Sequence, residues 1–342
     1  MNGVDTHRRT LLSLACTLAM LGIGGAAVAQ TAVDMPPNLI PQPASNLSLV
    51  AETSGASTLR FNTTSWNQGR GPLELVGGAV ETGSGKRQVF QNLFLSDGTS
   101  ILHYAGSFEY HPEHNHMHFN DYAIYSLQPV NAPGGSLRTG VKTTFCIMDN
   151  TQVNTSLPGA PGLAYYTSCG RDLQGMSVGW GDTYGAHLAG QSVDFTGNPD
   201  GIYALRIEVD PKKLLIETNE NDNISCVLLS IRKPSTVTVL DASGACSAVA
   251  GISPNTAKVG TSVQVTISGY GFKPGMAVSF ESGNGPRPVA SNVVLASDTA
   301  SVDQITATVT VPYKKNAGHD PVWDLRVGSS GGVLVNAFRV TP

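Results

Sequence analysis

The stretch Leu59-Arg60-Phe61-Asn62-Thr63-Thr64-Ser65-Trp66 alternates apolar or small side chains with polar ones, the period-two pattern of a strand with one face toward a core. The turn residues Asn67-Gln68-Gly69-Arg70-Gly71-Pro72 close it. The same reading predicts strands over residues 88–95, 107–110, 122–127, 142–147, 201–209 and 225–232, with Gly, Pro, Asn or Asp as punctuation. Residues 31–47, rich in proline and polar side chains, read as an extended lead-in rather than core. Beyond residue 248 the alternation resumes in Val263-Gln264-Val265-Thr266-Ile267-Ser268-Gly269, Ala277-Val278-Ser279-Phe280 and Thr306-Ala307-Thr308-Val309-Thr310-Val311. No stretch carries a long amphipathic helical period. The expected architecture is all-β: one β-sandwich over residues 30–247 and a second, small β-sandwich over residues 248–342.

Composition agrees with this and narrows the partners. Thirty-eight glycines, 20 prolines and 13% charged residues in 342 suit a turn-rich β protein. The formal net charge of −4 offers no basic surface to nucleic acid or anionic lipid. Residues 1–29 have the parts of a secretory signal: Arg8 and Arg9, an apolar run from residue 11 to 28, and Ala27-Val28-Ala29 before Gln30. The paired arginines hint at the twin-arginine route, although ordinary signals also carry such pairs. The expectation is a secreted or periplasmic protein, with no other stretch apolar enough to span a bilayer. Removing the signal removes Cys16 and leaves Cys146, Cys169, Cys226 and Cys246, an even number in an oxidising compartment. Three pairings into two disulfides are open. The sequential one, Cys146 to Cys169 and Cys226 to Cys246, closes the short loops and is preferred.

The densest chemistry lies in Tyr110-His111-Pro112-Glu113-His114-Asn115-His116-Met117-His118, which holds four of the eight histidines. In an extended strand His114, His116 and His118 share one face, and three imidazoles so presented suit copper, zinc, nickel or iron, copper(II) standing highest in affinity. His111, three residues before His114 with Pro112 between, is expected to face the other way or to lie in the entering turn. The bland alternative is a solvated histidine-rich surface strand; the β-patterned flanks weigh against it. His319 reads as a solvated loop residue.

Three segments in fixed order carry a resemblance. The histidine strand, Lys142-Thr143-Thr144-Phe145-Cys146-Ile147-Met148-Asp149 and Asp182-Thr183-Tyr184-Gly185-Ala186 resemble the catalytic domain of lysyl oxidases, of bacterial type, over roughly residues 59–232. In that family the corresponding patterns are Trp-His-x-Cys-His-x-His-x-His, Lys-x-x-Phe-Cys-Leu-x-Asp and Asp-Thr-Tyr-Gly-Ala. The acidic, Asn-rich turn at residues 217–223 continues the likeness. The resemblance implies that His114, His116 and His118 bind copper and that Lys142 and Tyr184 are the catalytic pair from which a lysine tyrosylquinone cofactor forms. Copper and dioxygen would oxidise the Tyr184 ring to an ortho-quinone and the Lys142 amine would add to it, which requires a neutral amine. It further implies a copper-dependent amine oxidase taking a primary amine or a lysine-bearing protein, with dioxygen, to an aldehyde, hydrogen peroxide and ammonia. Asp182, His187 and Asp121 are candidates for the general base, each with a turn or hydrogen-bonding role as its plain alternative.

The departures matter as well. Glu113 stands where the family has cysteine, Tyr110 where it has tryptophan, Ile124 where the animal enzymes have histidine, and His187 where they have aspartate. Two further family cysteines are missing, so Cys146 and Cys169 would each lack the family partner, a second reason to pair them together. Downstream, Gly251-Ile252-Ser253-Pro254, Ser268-Gly269-Tyr270-Gly271-Phe272 and the closing Val335-Asn336-Ala337-Phe338-Arg339-Val340 look like the immunoglobulin-like IPT/TIG modules, which serve mostly as spacers, dimerisation units or binding modules. Two alternatives to the oxidase remain at this point: a non-catalytic extracellular copper-binding or adhesion protein, and a zinc-dependent hydrolase.

Overall fold

Strand Ser57–Asn67 alternates without a break between buried and half-buried positions, and that one strand organises the first core. Leu59 and Phe61 on its inner face are fully buried. Toward its far end the inner face changes from apolar to hydroxyl: Thr63 meets the Tyr125 hydroxyl at 3.0 Å and Ser65 meets that of Tyr122 at 2.7 Å. Buried hydroxyls need such partners, so this end of the core is polar and specific where the other is greasy. A computed structural model describes residues 34–112, 115–297, 303–313, 321–328 and 332–342. Glu113, His114, His319 and the leader at residues 1–29 lie outside the described residues.

Among the described residues there is no helix, and the chain is all-β. Three sheets surround the first core. One runs Leu173–Met176, Leu73–Val80, Arg87–Leu95, Ser100–His111 and His116–Phe119; a second runs Arg138–Thr139, Ala123–Asn131, Gly201–Val209, Ile224–Arg232 and Thr236–Gly244. The third centres on Ser57–Asn67, with Trp180–Tyr184, Ser192–Asp194, Leu39–Pro41 and Ser45–Ala51 beside it. Two four-stranded sheets, Ala248–Ser253 with Ser262–Tyr270, Asp303–Thr310 and Val289–Ser297, and Thr256–Lys258 with Leu334–Thr341, Val322–Val327 and Val278–Glu281, face each other beyond. Apolar residues gather in two clusters, one within residues 39–231 and one within 249–340, while Val33–Pro342 forms a single compact unit.

Two expectations need correction. Residues 31–47 are not merely a lead-in: Leu39 is fully buried, Ala44 joins the core and Leu47 packs against it, because Leu39–Pro41 adds to the edge of Ser57–Asn67. Residues 142–147 run extended without forming a strand. Only Phe145 pairs in both directions, with Phe119 (N to O 3.0 Å and O to N 2.7 Å), and Thr143 accepts the Tyr122 N–H at 3.0 Å. The disulfides join Cys146 to Cys169 and Cys226 to Cys246, the preferred pairing.

Candidate active site

Three imidazoles of the histidine run converge. Ser100–His111 and His116–Phe119 form an antiparallel pair in which His111 lies opposite His116. His116 and His118, two apart on one strand, share a face as the period of two requires. Their Nε2 atoms are 2.9 Å apart. Metal–nitrogen bonds of about 2.0–2.1 Å keep two ligands of one ion within about 4 Å of each other, so this pair fits an ion such as copper or zinc. His118 is 1% exposed and its Nδ1 meets the Thr144 hydroxyl at 3.1 Å. Of the two placements expected for His111, facing the other way or lying in the entering turn, the first does not hold: it ends its strand immediately before the turn, its ring stacks on that of His118 with centroids 4.2 Å apart, and its Nε2 lies 3.2 Å from Thr144 Oγ1. His114 lies outside the described residues, so its place in the cluster stays an expectation.

Thr144 leads directly to the second group. Its neighbours at 142 and 146 belong to the same extended segment, which carries Lys142 to within 4.9 Å of the Phe145 ring centre and 5.2 Å of the Tyr184 ring centre. Gly190, at φ +76°, makes room for it, since a Cβ there would come within 2.9 Å of the Lys142 Cβ. The Tyr184 hydroxyl accepts the Cys146 N–H and donates to the Cys146 carbonyl, each at 2.8 Å. Phe145 stands edge-on to Tyr184 with centroids 5.0 Å apart. Lys142 and Tyr184, 42 positions apart in sequence, are therefore packed neighbours.

Asp182 and Tyr184 lie two apart on Trp180–Tyr184, opposite Ser65 and Thr63, so both enter the polar end of the core. Asp182 is 3% exposed, with Oδ1 accepting from Asn150 Nδ2 at 2.6 Å and Oδ2 without a hydrogen-bond partner among the described residues. Burial drives its carboxyl well above the ordinary carboxylate range, against the pull of the Met148 N–H and Asn150. Burial likewise pushes the Lys142 ammonium below its usual value, and the charge of Asp182 opposes part of that shift. Both groups are driven toward their neutral forms, the direction in which a proton passes from amine to carboxylate. Burial also raises Tyr184, Tyr122 and Tyr125, which stay protonated phenols.

The other base candidates are placed elsewhere. Asp121 is paired with Lys212 at 2.9 Å. His187 is exposed, its ring lying against Gly185. Asp149, in the resemblance motif, is structural: its carboxylate accepts from the backbone N–H groups of Tyr165, Tyr166 and Ser177 and from the Ser177 hydroxyl, at 2.7 to 3.1 Å. A small cavity of about 10 Å³ borders Asp182 and Tyr184, room for about one water. An open groove of about 490 Å³ flanks the histidines, lined by Arg87, Tyr110, Asn115, His116, Cys169 and Arg171 among others. The Cys146–Cys169 bridge stands between that groove and the Tyr184 hydroxyl.

One cluster escaped the sequence reading. Asp210, Glu217 and Glu220 bring carboxylate oxygens within 4.8 Å of one another, a donor type suited to hard cations. Only the acidic turn at 217–223 signalled it. Glu217, pushed up to about 8 by burial, also accepts the Leu39 N–H and the Asn223 amide.

Residues 92–239 match the family model described as Lysyl oxidase, a narrower span than the 59–232 of the resemblance at its start. The chain is 31% identical over 119 residues to Lysyl oxidase homolog 1 of Homo sapiens, covering 34% of this chain and 19% of that one. It is 32% identical over 119 residues to Protein-lysine 6-oxidase of Homo sapiens (34% and 27%), and 30% identical over 119 residues to Protein-lysine 6-oxidase of Sus scrofa (34% and 45%). The chain thus spans between a fifth and a half of the length of these relatives.

Proposed function

We propose that this chain is a secreted copper-dependent amine oxidase of lysyl oxidase type, acting on primary amines, either lysine side chains or small amines. The observation that carries the reading is the packing of the Lys142 amine 5.2 Å from the Tyr184 ring centre, on a segment whose Thr144 touches the histidine cluster. Copper at the histidines, with a quinone formed by joining Lys142 to Tyr184, would supply an electrophile and a two-electron sink: an amine, dioxygen and water would give an aldehyde, ammonia and hydrogen peroxide.

The chain's own residues have separable tasks. His116 and His118, with His114 as the expected third, would hold the metal through Nε2 atoms already close together. The Cys146 N–H and carbonyl hold the Tyr184 hydroxyl from both sides, which fixes the ring plane against Phe145. Burial keeps Lys142 disposed to lose its proton, and Asp182, whose Oδ2 has no hydrogen-bond partner among the described residues, is the acceptor we assign to it. The exposed groove beside His116 is large enough for an extended amine side chain, and the 10 Å³ cavity is not.

Among the described residues no helix is long and apolar enough to cross a membrane, and the two disulfides support an oxidising compartment. Residues 248–342 are read as a spacer or binding module. The test is peroxide release from a simple alkylamine by copper-loaded protein, with zinc-loaded protein as the control. Amine-dependent peroxide with copper alone supports the proposal; hydrolytic activity with zinc and no peroxide would replace it.

A further inference from the structure

The remaining described histidine of the cluster, His111, is not explained by an ion held at His116 and His118, and its surroundings assign it a different task. We propose that His111 and Thr144 form a hydrogen-bonded tail that fixes the ring of His118, so that His111 acts as a positioning residue and not as a metal ligand. The proposal rests on the reading that His116 and His118 hold the metal.

The argument follows the protons. A neutral imidazole has one N–H and one lone pair, and a hydroxyl has one proton to give. For His118 to offer a lone pair at Nε2, the side facing His116, its proton must sit on Nδ1 and be donated to Thr144 Oγ1, 3.1 Å away. The Thr144 hydroxyl then donates its own proton to the other nitrogen within reach, His111 Nε2 at 3.2 Å. The reverse direction would leave a proton on His118 Nε2 and no lone pair for an ion. Metal binding therefore selects one direction of donation along all three residues, and in that direction the His111 Nε2 lone pair is used by Thr144.

Position is fixed along with the tautomer. The His111 ring stacks on that of His118 at 4.2 Å and 26°, while the Nδ1 hydrogen bond holds the ring edge, so rotation of His118 about its ring axis is opposed at two points. Both supports come from parts of the chain the fold already fixes: His111 from its pairing opposite His116, and Thr144 from the Phe145 pairing with Phe119. Outer partners of this kind orient metal-bound imidazoles and raise their basicity. Thr144 also ties the metal ligand to the short segment that bears Lys142 and Cys146, adding a side-chain link to the backbone pairing of Phe119 with Phe145.

The experiment measures copper(II) affinity of the full chain by competition with a chelator of known strength, together with the copper(II) paramagnetic resonance spectrum. Thr144→Val should weaken binding by about 10- to 100-fold, the usual cost of losing such a partner, and Thr144→Ser should restore it. His111→Phe keeps an aromatic ring but removes the acceptor; it should weaken binding to a similar degree, add nothing to Thr144→Val in the double variant, and leave the nitrogen pattern of the spectrum unchanged. Wild-type affinity in Thr144→Val, or loss of a coordinated nitrogen in His111→Phe, overturns the proposal. His118→Ala separates the two levels: if it binds copper as well as wild type does, the metal reading itself fails, whereas a weakened His118→Ala beside an unaffected Thr144→Val removes only the positioning role. Should Thr144→Val fail to fold, His111→Phe, which leaves Thr144 in place, carries the same test.

Discussion

Replacing Tyr184 by Phe removes one oxygen atom and leaves the ring, its edge-on contact with Phe145 and the packing of Lys142 in place. That oxygen serves both backbone polar groups of Cys146, its N–H and its carbonyl, at 2.8 Å each, and Cys146 is 2% exposed. Each buried group left without its partner costs about 1–3 kcal/mol, the carbonyl at the lower end because it tolerates under-satisfaction better, so the loss comes to roughly 2–4 kcal/mol. At about 2–4 °C per kcal/mol for a domain of this size, the melting temperature should fall by roughly 5–10 °C. Copper content should stay near the wild-type value, because among the described residues no imidazole hydrogen-bonds this hydroxyl. Peroxide release from amines should disappear. Calorimetry, metal analysis and a peroxide assay on the same preparation give the three numbers. An unchanged melting temperature would contradict the double hydrogen bond, retained peroxide would remove Tyr184 from the chemistry, and lost copper would make it a ligand.

Two further outcomes follow from the buried carboxyls. Asp182→Asn should fold as well as wild type, since burial already favours the neutral carboxyl and the amide oxygen still accepts from Asn150; joining of Lys142 to Tyr184, followed by peptide mapping over time, should slow by about 10²–10⁴-fold, the range for a lost acid–base group. A wild-type rate of joining would take Asp182 out of that role. The second outcome is a pH dependence of stability set by Glu217, raised from 4.5 to about 8. Between those values the folded chain keeps a proton that the unfolded chain releases, so the stabilisation is full below about pH 4.5 and is lost as pH rises through about 8. Asp182, Asp210 and Glu220 shift in the same direction, while Asp97, Glu109, Asp194 and Glu281 are lowered and act in more acidic solution. The protein should melt higher at about pH 5.5 than at about pH 8.5, and the opposite order would mean that these carboxyls are ionised and compensated when folded.

How much of this could be read from residue order alone depends on the range of the interaction. The Ser57–Asn67 strand and the shared face of His116 and His118 follow from a local period, and both appear as expected. Alternation could not bring His111 to His118, because it holds only within a strand and the chain reverses after His111. Leu39 was assigned to a lead-in because its burial depends on pairing with Ser57–Asn67 and on a bond to Glu217, 178 positions away. Residues 142–147 have strand composition, yet only Phe145 finds two-way pairing, because the segment instead spends its side chains on Thr144 to the histidines and Lys142 to Tyr184. Lys142 and Tyr184 stood out through resemblance and not through any property of a lone lysine or tyrosine. The carboxylates of Asp210, Glu217 and Glu220 carry no distinctive spacing, so their convergence emerges only from the folded turn.

The central claim is that Lys142 and Tyr184 become one covalent unit when copper is present. Peptide mapping by mass spectrometry of protein produced with copper tests it most directly. The account predicts a linked pair of peptides, one bearing Lys142 and the other Tyr184, absent from protein produced without copper. Copper-loaded protein that yields both peptides separate and unmodified would contradict it.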